Sequence, residues 1–188
     1  MNAFLGRNRI REIYGERGMT LLEILVVIVI ILILASMLLP LYSSMSARSD
    51  ELRCIANLKN LYVAASGYIQ ANGSWPQISV SLISDDPKTY ARSWVDTLIP
   101  YGAPHNTWIC PTIQRTMGIS MDAIDEPDNY RIDFVATPFG DNPGSPWLNP
   151  THPWFIEKSG LHPRGNLLIL ANGTTTSLKD LIGDKPSN

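Results

Sequence analysis

One carboxylate in the chain stands where its neighbours make it expensive. Glu23 lies near the start of the apolar run RGMTLLEILVVIVIILILASMLLPLY, residues 17–42, and no charged residue occurs between Ile24 and Ala47. Charged groups at the centre of a membrane-length helix cost about 2.5–3.5 kcal/mol on insertion scales and mark a functional site by default. Glu23 therefore needs a cation. A cut between Gly18 and Met19 would make one, because the new α-amino group of Met19 would stand four residues, about one helical turn, before Glu23. Pairing with its own amine offsets the buried charge; pairing with a neighbour's amine also joins subunits.

Other residues offer less specific chemistry. Cys54 and Cys110 are the only cysteines, and they are either a disulfide or two buried thiols, a choice that Cα separation decides. DAIDEPDNYRID concentrates Asp122, Asp125, Glu126, Asp128 and Asp133, and such oxygen ligands suit calcium. The spacing does not follow the EF-hand loop, so a solvated acidic loop is the better reading and no cofactor is expected. His105, His152 and His162 form no i, i+4 pair and have no cysteine cluster near them in sequence, which disfavours zinc. There is no Gly-x-Ser-x-Gly elbow and no phosphate-cradling glycine loop, and no catalytic constellation can be named. After residue 53 no basic, aromatic-interleaved patch appears, which excludes the nucleic-acid footprint.

The elements that must position these residues follow from spacing and composition. Residues 1–18 hold four Arg against two Glu, whereas residues 19–188 hold 11 basic and 15 acidic residues. A basic leader before a run whose helix from Leu21 to Leu41 spans roughly 31 Å implies a single membrane crossing with its N-terminus inside. A cleaved secretory signal has a shorter apolar region, about 7–15 residues. Beyond Pro40, Leu52, Ile55, Leu58, Tyr62, Ala65 and Ile69 repeat every three or four residues, the stripe of an amphipathic helix. Asn72-Gly73 and Trp75-Pro76 stop it. The expectation is one helix from about Thr20 to Ala71, with a bend or local unwinding where Pro40 lacks an N–H. Thirteen of the 14 prolines and all five tryptophans follow Gly73, so the head is loop-rich. YARSWVDTLIPY suggests a short helix, RIDFVATPF a strand, and NLLILANGTTTSL a hairpin whose Asn172-Gly173 turn suits two positive φ angles. The predicted class is α+β, with a small antiparallel sheet packed on the helix. The division is leader 1–18, membrane half 19–42, amphipathic half 43–73 and head 74–188. On the outer side of the membrane a Cys54–Cys110 bond would stabilise such a head by roughly 2–4 kcal/mol.

Gly18, Met19, Thr20, Leu21, Leu22 and Glu23 with the aliphatic run behind them resemble the processing site of type IV prepilins and type II secretion pseudopilins. Pro40, 21 residues after Met19, resembles the kinking proline of many members. The resemblance implies cleavage after Gly18 by a prepilin peptidase and N-methylation of Met19, which replaces the family's common Phe. A second resemblance covers the head. CIANLKNLYVAASGYIQANGSWPQ, then WICP at 108–111, then His162 followed after nine residues by Asn172-Gly173 are similar to a pilin-like group from planctomycete and verrucomicrobial bacteria. Asn172 stands where that group carries Asp, which puts any role needing the carboxylate in question. His162 is expected to cap or brace the hairpin.

These resemblances imply a structural subunit, not an enzyme: a single-pass bacterial inner-membrane protein with its head in the periplasm. Its partners would be the peptidase, other pilin or pseudopilin subunits and an inner-membrane assembly platform, with no nucleic acid. Glu23, supported by Thr20, would set the register of subunits in a secretion pseudopilus or a pilus-like filament. The moderate head leans towards the pseudopilus. The alternative is a membrane-tethered monomer whose tryptophan-rich head binds a glycan or envelope polymer, although five tryptophans in a small head more often complete its core.

Overall fold

The computed structural model describes residues 19–142 and 144–183, and the side chains of residues 38–43 stand outside that description. The leader and Gly18 therefore lie outside the described residues. The fold is α+β. Helix α1 is Leu21–Asn72, and short helices α2 (Leu82–Asp85), α3 (Pro87–Leu98), α4 (Pro111–Met117) and α5 (Leu178–Ile182) follow. Strands β1 (Phe134–Ala136), β2 (Pro153–Glu157), β3 (Leu167–Leu170) and β4 (Thr175–Ser177) form an antiparallel meander in the order β1-β2-β3-β4. By contacts the chain divides into two units, Met1–Ser43 and Ser44–Asn188.

In the first unit every described side chain from Met19 to Met37 is exposed, including Leu21 at 84% and Leu32 at 62%. Among the described residues no helix is long and apolar enough to cross a membrane. The described apolar side chains stop at Met37, roughly 26 Å along a helix that begins at Leu21. In the sequence the apolar run continues through residues 38–42. Helix α1 does not end at Pro40.

The second unit holds the core. From α1 it receives Cys54, Leu58, Leu61, Ala64, Ala65 and Ile69, all buried, at the three-and-four spacing that puts side chains on one helix face. This face is rotated from the expected stripe. Leu52 is 59% exposed, and Cys54 and Leu61 take central places instead. Gly73, at φ 74°, ends α1 by donating its N–H to the Ile69 carbonyl at 2.8 Å, which a left-handed residue at a helix end allows.

Trp75 is the aromatic centre. Its ring lies 5.0 Å from Phe139, 5.1 Å from Trp154, 5.7 Å from Phe155 and 5.9 Å from Trp94. Trp75, Trp94, Trp108 and Trp154 are each at most 2% exposed. Helix α3 starts on an Asp86 N-cap, whose carboxylate accepts from the Thr89 N–H at 3.0 Å. These hydrogen bonds, led by the Thr89 hydroxyl, hold the Asp86 carboxyl below its usual range. The helix ends at Leu98, two residues before Pro100, which sits in a single 3-10 turn, Ile99–Tyr101.

Strand β2 was not predicted. Its sequence PWFIE lies in a proline-rich stretch, but Pro153 takes the first position, where a missing N–H costs least, and Trp154 and Phe155 are fully buried. The β3–β4 turn also differs from expectation. Gly173 takes φ 79° and among the described residues no non-glycine residue has positive φ, so Asn172 does not adopt the left-handed conformation of a two-residue turn. Instead Gly173 donates to the Leu170 carbonyl at 2.8 Å and Leu170 to the Thr174 carbonyl at 2.9 Å. That is a three-residue loop with a glycine bulge. The ring of Tyr62 stands 3.5 Å from where a Cβ on Gly173 would lie, and the Tyr62 hydroxyl donates to the Ala171 carbonyl at 2.9 Å.

Candidate functional site

At the start of α1, Thr20 is the capping residue. Its hydroxyl oxygen accepts from the Glu23 N–H at 3.3 Å, and its carbonyl accepts from the N–H groups of Glu23 and Ile24 at 3.1 and 3.2 Å. Thr-Leu-Leu-Glu thus has the spacing of a capping box. The placement answers part of the question Glu23 raises, because a carboxylate in the first turn faces the positive end of the helix dipole. The cap is a second role for this stretch beside the expected amine partner of Glu23, and Thr-x-x-Glu is its signal in the sequence. Met19, 61% exposed, precedes the cap, so a chain beginning at Met19 keeps this turn whole.

In the second unit, residues far apart in sequence converge. Cys54 of α1 and Cys110, which precedes α4, are joined by a disulfide with Cα atoms 5.1 Å apart. Asn57, one helical turn beyond Cys54, donates from Nδ2 to the Ile109 carbonyl at 2.9 Å. His162 Nε2 lies 3.4 Å from Cys110 Sγ and 3.1 Å from Glu157 Oε1, and the side chains of His162 and Glu157 are 1% and 0% exposed. The other Glu157 oxygen accepts from the Leu167 N–H at 3.1 Å. A turn positions the histidine: Gly165, at φ 84°, donates to the His162 carbonyl at 2.9 Å. Next to Gly165, Arg164 reaches Glu51 of α1 at 2.9 Å.

His162 reaches the first residue of β3 through Glu157 and is not part of the hairpin loop. It faces the disulfide, while Asn172 and Gly173 form the hairpin loop elsewhere. The side-chain oxygen of Asn172 accepts from the Thr174 N–H at 2.9 Å, an Asx turn that needs an acceptor and not a negative charge. Asn172→Asp is expected to change stability by no more than about 0.5 kcal/mol, and Asn172→Ala to cost about 1 kcal/mol. Thermal unfolding of the two variants side by side checks this, and an equal loss in both would remove the Asx turn from the account.

Sequence spacing argued against a zinc site, yet the fold gathers Cys54, Cys110, Glu157 and His162 with ligand-type atoms all within 4.8 Å of one another. The reason is topological: the four come from a helix, the residue before another helix, a strand end and a loop. Glu157 had no sequence signal, since it belongs to the strand that was not predicted. Its neighbour in space, Asp133, accepts from the Cys110 N–H at 2.8 Å and from Arg131 Nε at 2.9 Å. Burial pushes the Asp133 carboxyl up against the pull of Arg131, and burial pushes Lys158 down.

The acidic loop does not converge in this way. Asp133 is buried, Asp125 pairs with His105 Nδ1 at 2.6 Å, and Asp122 and Asp128 are exposed. Among the described residues these carboxylates make no metal-competent group. His105 is held on its other nitrogen by the Arg131 carbonyl at 2.7 Å, and His152 packs against Phe139 at 5.3 Å.

Residues 14–39 match the prokaryotic N-terminal methylation motif. No curated protein and no solved structure matches the chain. The motif supports a prepilin-type chain, and it includes the Thr20 cap and the exposed aliphatic residues described up to Met37.

Proposed function

We propose that this chain is a prepilin-like structural subunit, cut after Gly18, N-methylated at Met19 and assembled through the apolar part of α1. The product is a type II secretion pseudopilus or a type IV pilus-like filament in the bacterial inner membrane and periplasm. The observation that carries this reading is the coincidence of the methylation motif with a helix whose described aliphatic side chains are all exposed up to Met37. Such a surface is unfavourable in water by about 25 cal/mol for each Å². Lipid and then neighbouring helices are the environments that relieve it.

In this mechanism Gly18 sets the cut, Met19 supplies the amine, Thr20 caps the helix and Glu23 pairs with an amine of its own chain or a neighbour. Pro40 gives the helix a place to bend or unwind during assembly. The partners are a prepilin peptidase, further subunits and an assembly platform. A glycan-binding head would need aromatic faces open to solvent; of the five tryptophans only Trp147, at 42%, is exposed.

Co-production with a prepilin peptidase tests the processing step. The wild-type chain is expected to shorten by the 18-residue leader, and Gly18→Val to remain at full length. A wild-type chain left uncut, or a variant cut equally well, contradicts the reading.

A further inference from the structure

We propose that the head, when Cys54 and Cys110 are reduced, binds one thiophilic divalent cation, zinc by preference. The ligands are the two thiolates, His162 Nε2 and one Glu157 carboxylate oxygen. The inference concerns the head alone and goes beyond the filament role, so either can fail without the other.

The arrangement has the dimensions of such a site. With bonds of about 2.0–2.3 Å, a tetrahedral zinc site has ligand-to-ligand edges of roughly 3.3–3.8 Å. His162 Nε2 already stands 3.4 Å from one sulfur and 3.1 Å from Glu157 Oε1. All four candidate ligand atoms fall within 4.8 Å of one another. Reduction lets the sulfurs move from bonding contact to the tetrahedral edge, which small side-chain rotations supply.

The disulfide by itself explains neither His162 nor Glu157. A covalent bond between the cysteines needs no neighbouring imidazole, and burying a carboxylate costs several kcal/mol unless it is well compensated. A site with a second use explains why both are present and fully enclosed. Glu157 is also oriented as a ligand would be: one oxygen is tied to the Leu167 N–H at 3.1 Å, and the other faces His162. The Asn166 side chain, donating to the Glu157 carbonyl at 2.8 Å, fixes the same strand end. Such outer hydrogen bonds hold metal ligands in place. Two thiolates with one imidazole and one carboxylate favour zinc over the harder cations that take only oxygen. A cavity of about 180 Å³ lined by Asp50, Arg115, Leu161 and His162 lies beside the histidine.

The chemistry balances with a dithiol as reductant. The dithiol gives two electrons and two protons to the Cys54–Cys110 bond and closes to its own disulfide, leaving two thiols in the head. Metal binding then releases both thiol protons to solvent. His162 binds as the neutral ring, with its proton on Nδ1 so that the Nε2 lone pair is free. The same four elements are thus held together by a covalent staple when oxidised and by a metal staple when reduced.

The test uses the full-length chain in detergent, reduced by a dithiol, freed of it under anaerobic conditions and titrated with Co²⁺ alone. The expected result is one Co²⁺ per chain with the intense absorption of tetrahedral thiolate coordination, bleached by Zn²⁺ and absent from the oxidised chain. His162→Gln and Glu157→Gln, each first shown to keep the wild-type near-UV circular dichroism when oxidised, should bind at least tenfold more weakly. A variant that fails that control is replaced by His162→Asn or Glu157→Asp. A reduced wild-type chain without the tetrahedral spectrum overturns the proposal. So do variants that match wild-type affinity and spectrum, because the thiols alone would then hold the ion.

Discussion

Glu23→Val is expected to leave cleavage after Gly18 intact and to reduce incorporation of the chain into filaments beside wild-type subunits by at least about tenfold. A tenfold loss corresponds to about 1.4 kcal/mol. Two opposite charges about 4 Å apart attract by about 4 kcal/mol at an effective dielectric near 20, so one amine–carboxylate contact is sufficient to produce it. The substitution is selective because the cap survives. Thr20 accepts from the backbone N–H of residue 23, which valine retains, and the helix start is kept while the charge is lost. Co-expression of tagged variant and wild-type chains, with their ratio measured in purified filaments and in the membrane, reads the effect. An unchanged ratio removes Glu23 from assembly and leaves it a helix-cap residue.

Trp75→Ala is expected to destabilise the head by about 3–5 kcal/mol, the range for truncating a buried large aromatic. For a chain of this size that is roughly 6–20 °C in Tm. Trp75 is 1% exposed and touches rings contributed by α3, β2 and the segment after β1. Its indole N–H has no hydrogen-bond partner among the described residues, so the expected loss is one of packing. Thermal unfolding followed by near-UV circular dichroism measures it. A shift below about 2 °C would mean that the aromatic cluster does not organise the core, and would reopen a surface role for the tryptophans.

What the sequence made legible were features carried by local spacing. The aliphatic run and the three-and-four repeat locate α1, and an aliphatic stretch, Asn-Gly and a Thr run locate the β3–β4 hairpin. Even there the detail depended on tertiary packing. The buried face of α1 is rotated so that Cys54 faces inward and Leu52 does not, because the disulfide and the aromatic core lie on that side. The turn takes one positive φ and not two, because the strands close on a three-residue loop with Tyr62 against Gly173.

Strand β2 stayed hidden for a different reason. Neighbouring prolines mask its three apolar residues, Trp154, Phe155 and Ile156, and its burial comes from strands on both sides. The convergence of Cys54, Cys110, Glu157 and His162 could not be read from spacing, because it depends on where β2 and the following loop lie against α1. Glu157 itself follows Ile156 with no motif to single it out. By contrast the Thr20 cap is fully encoded in four consecutive residues, Thr20 to Glu23.

Glu23 is proposed to acquire its partner when the chain is cut. The most direct measurement is mass spectrometry of the N-terminus of the mature chain from its native membrane. The expected result is a chain beginning at N-methylated Met19, with residues 1–18 absent. An intact leader, or a start beyond residue 40, would contradict it.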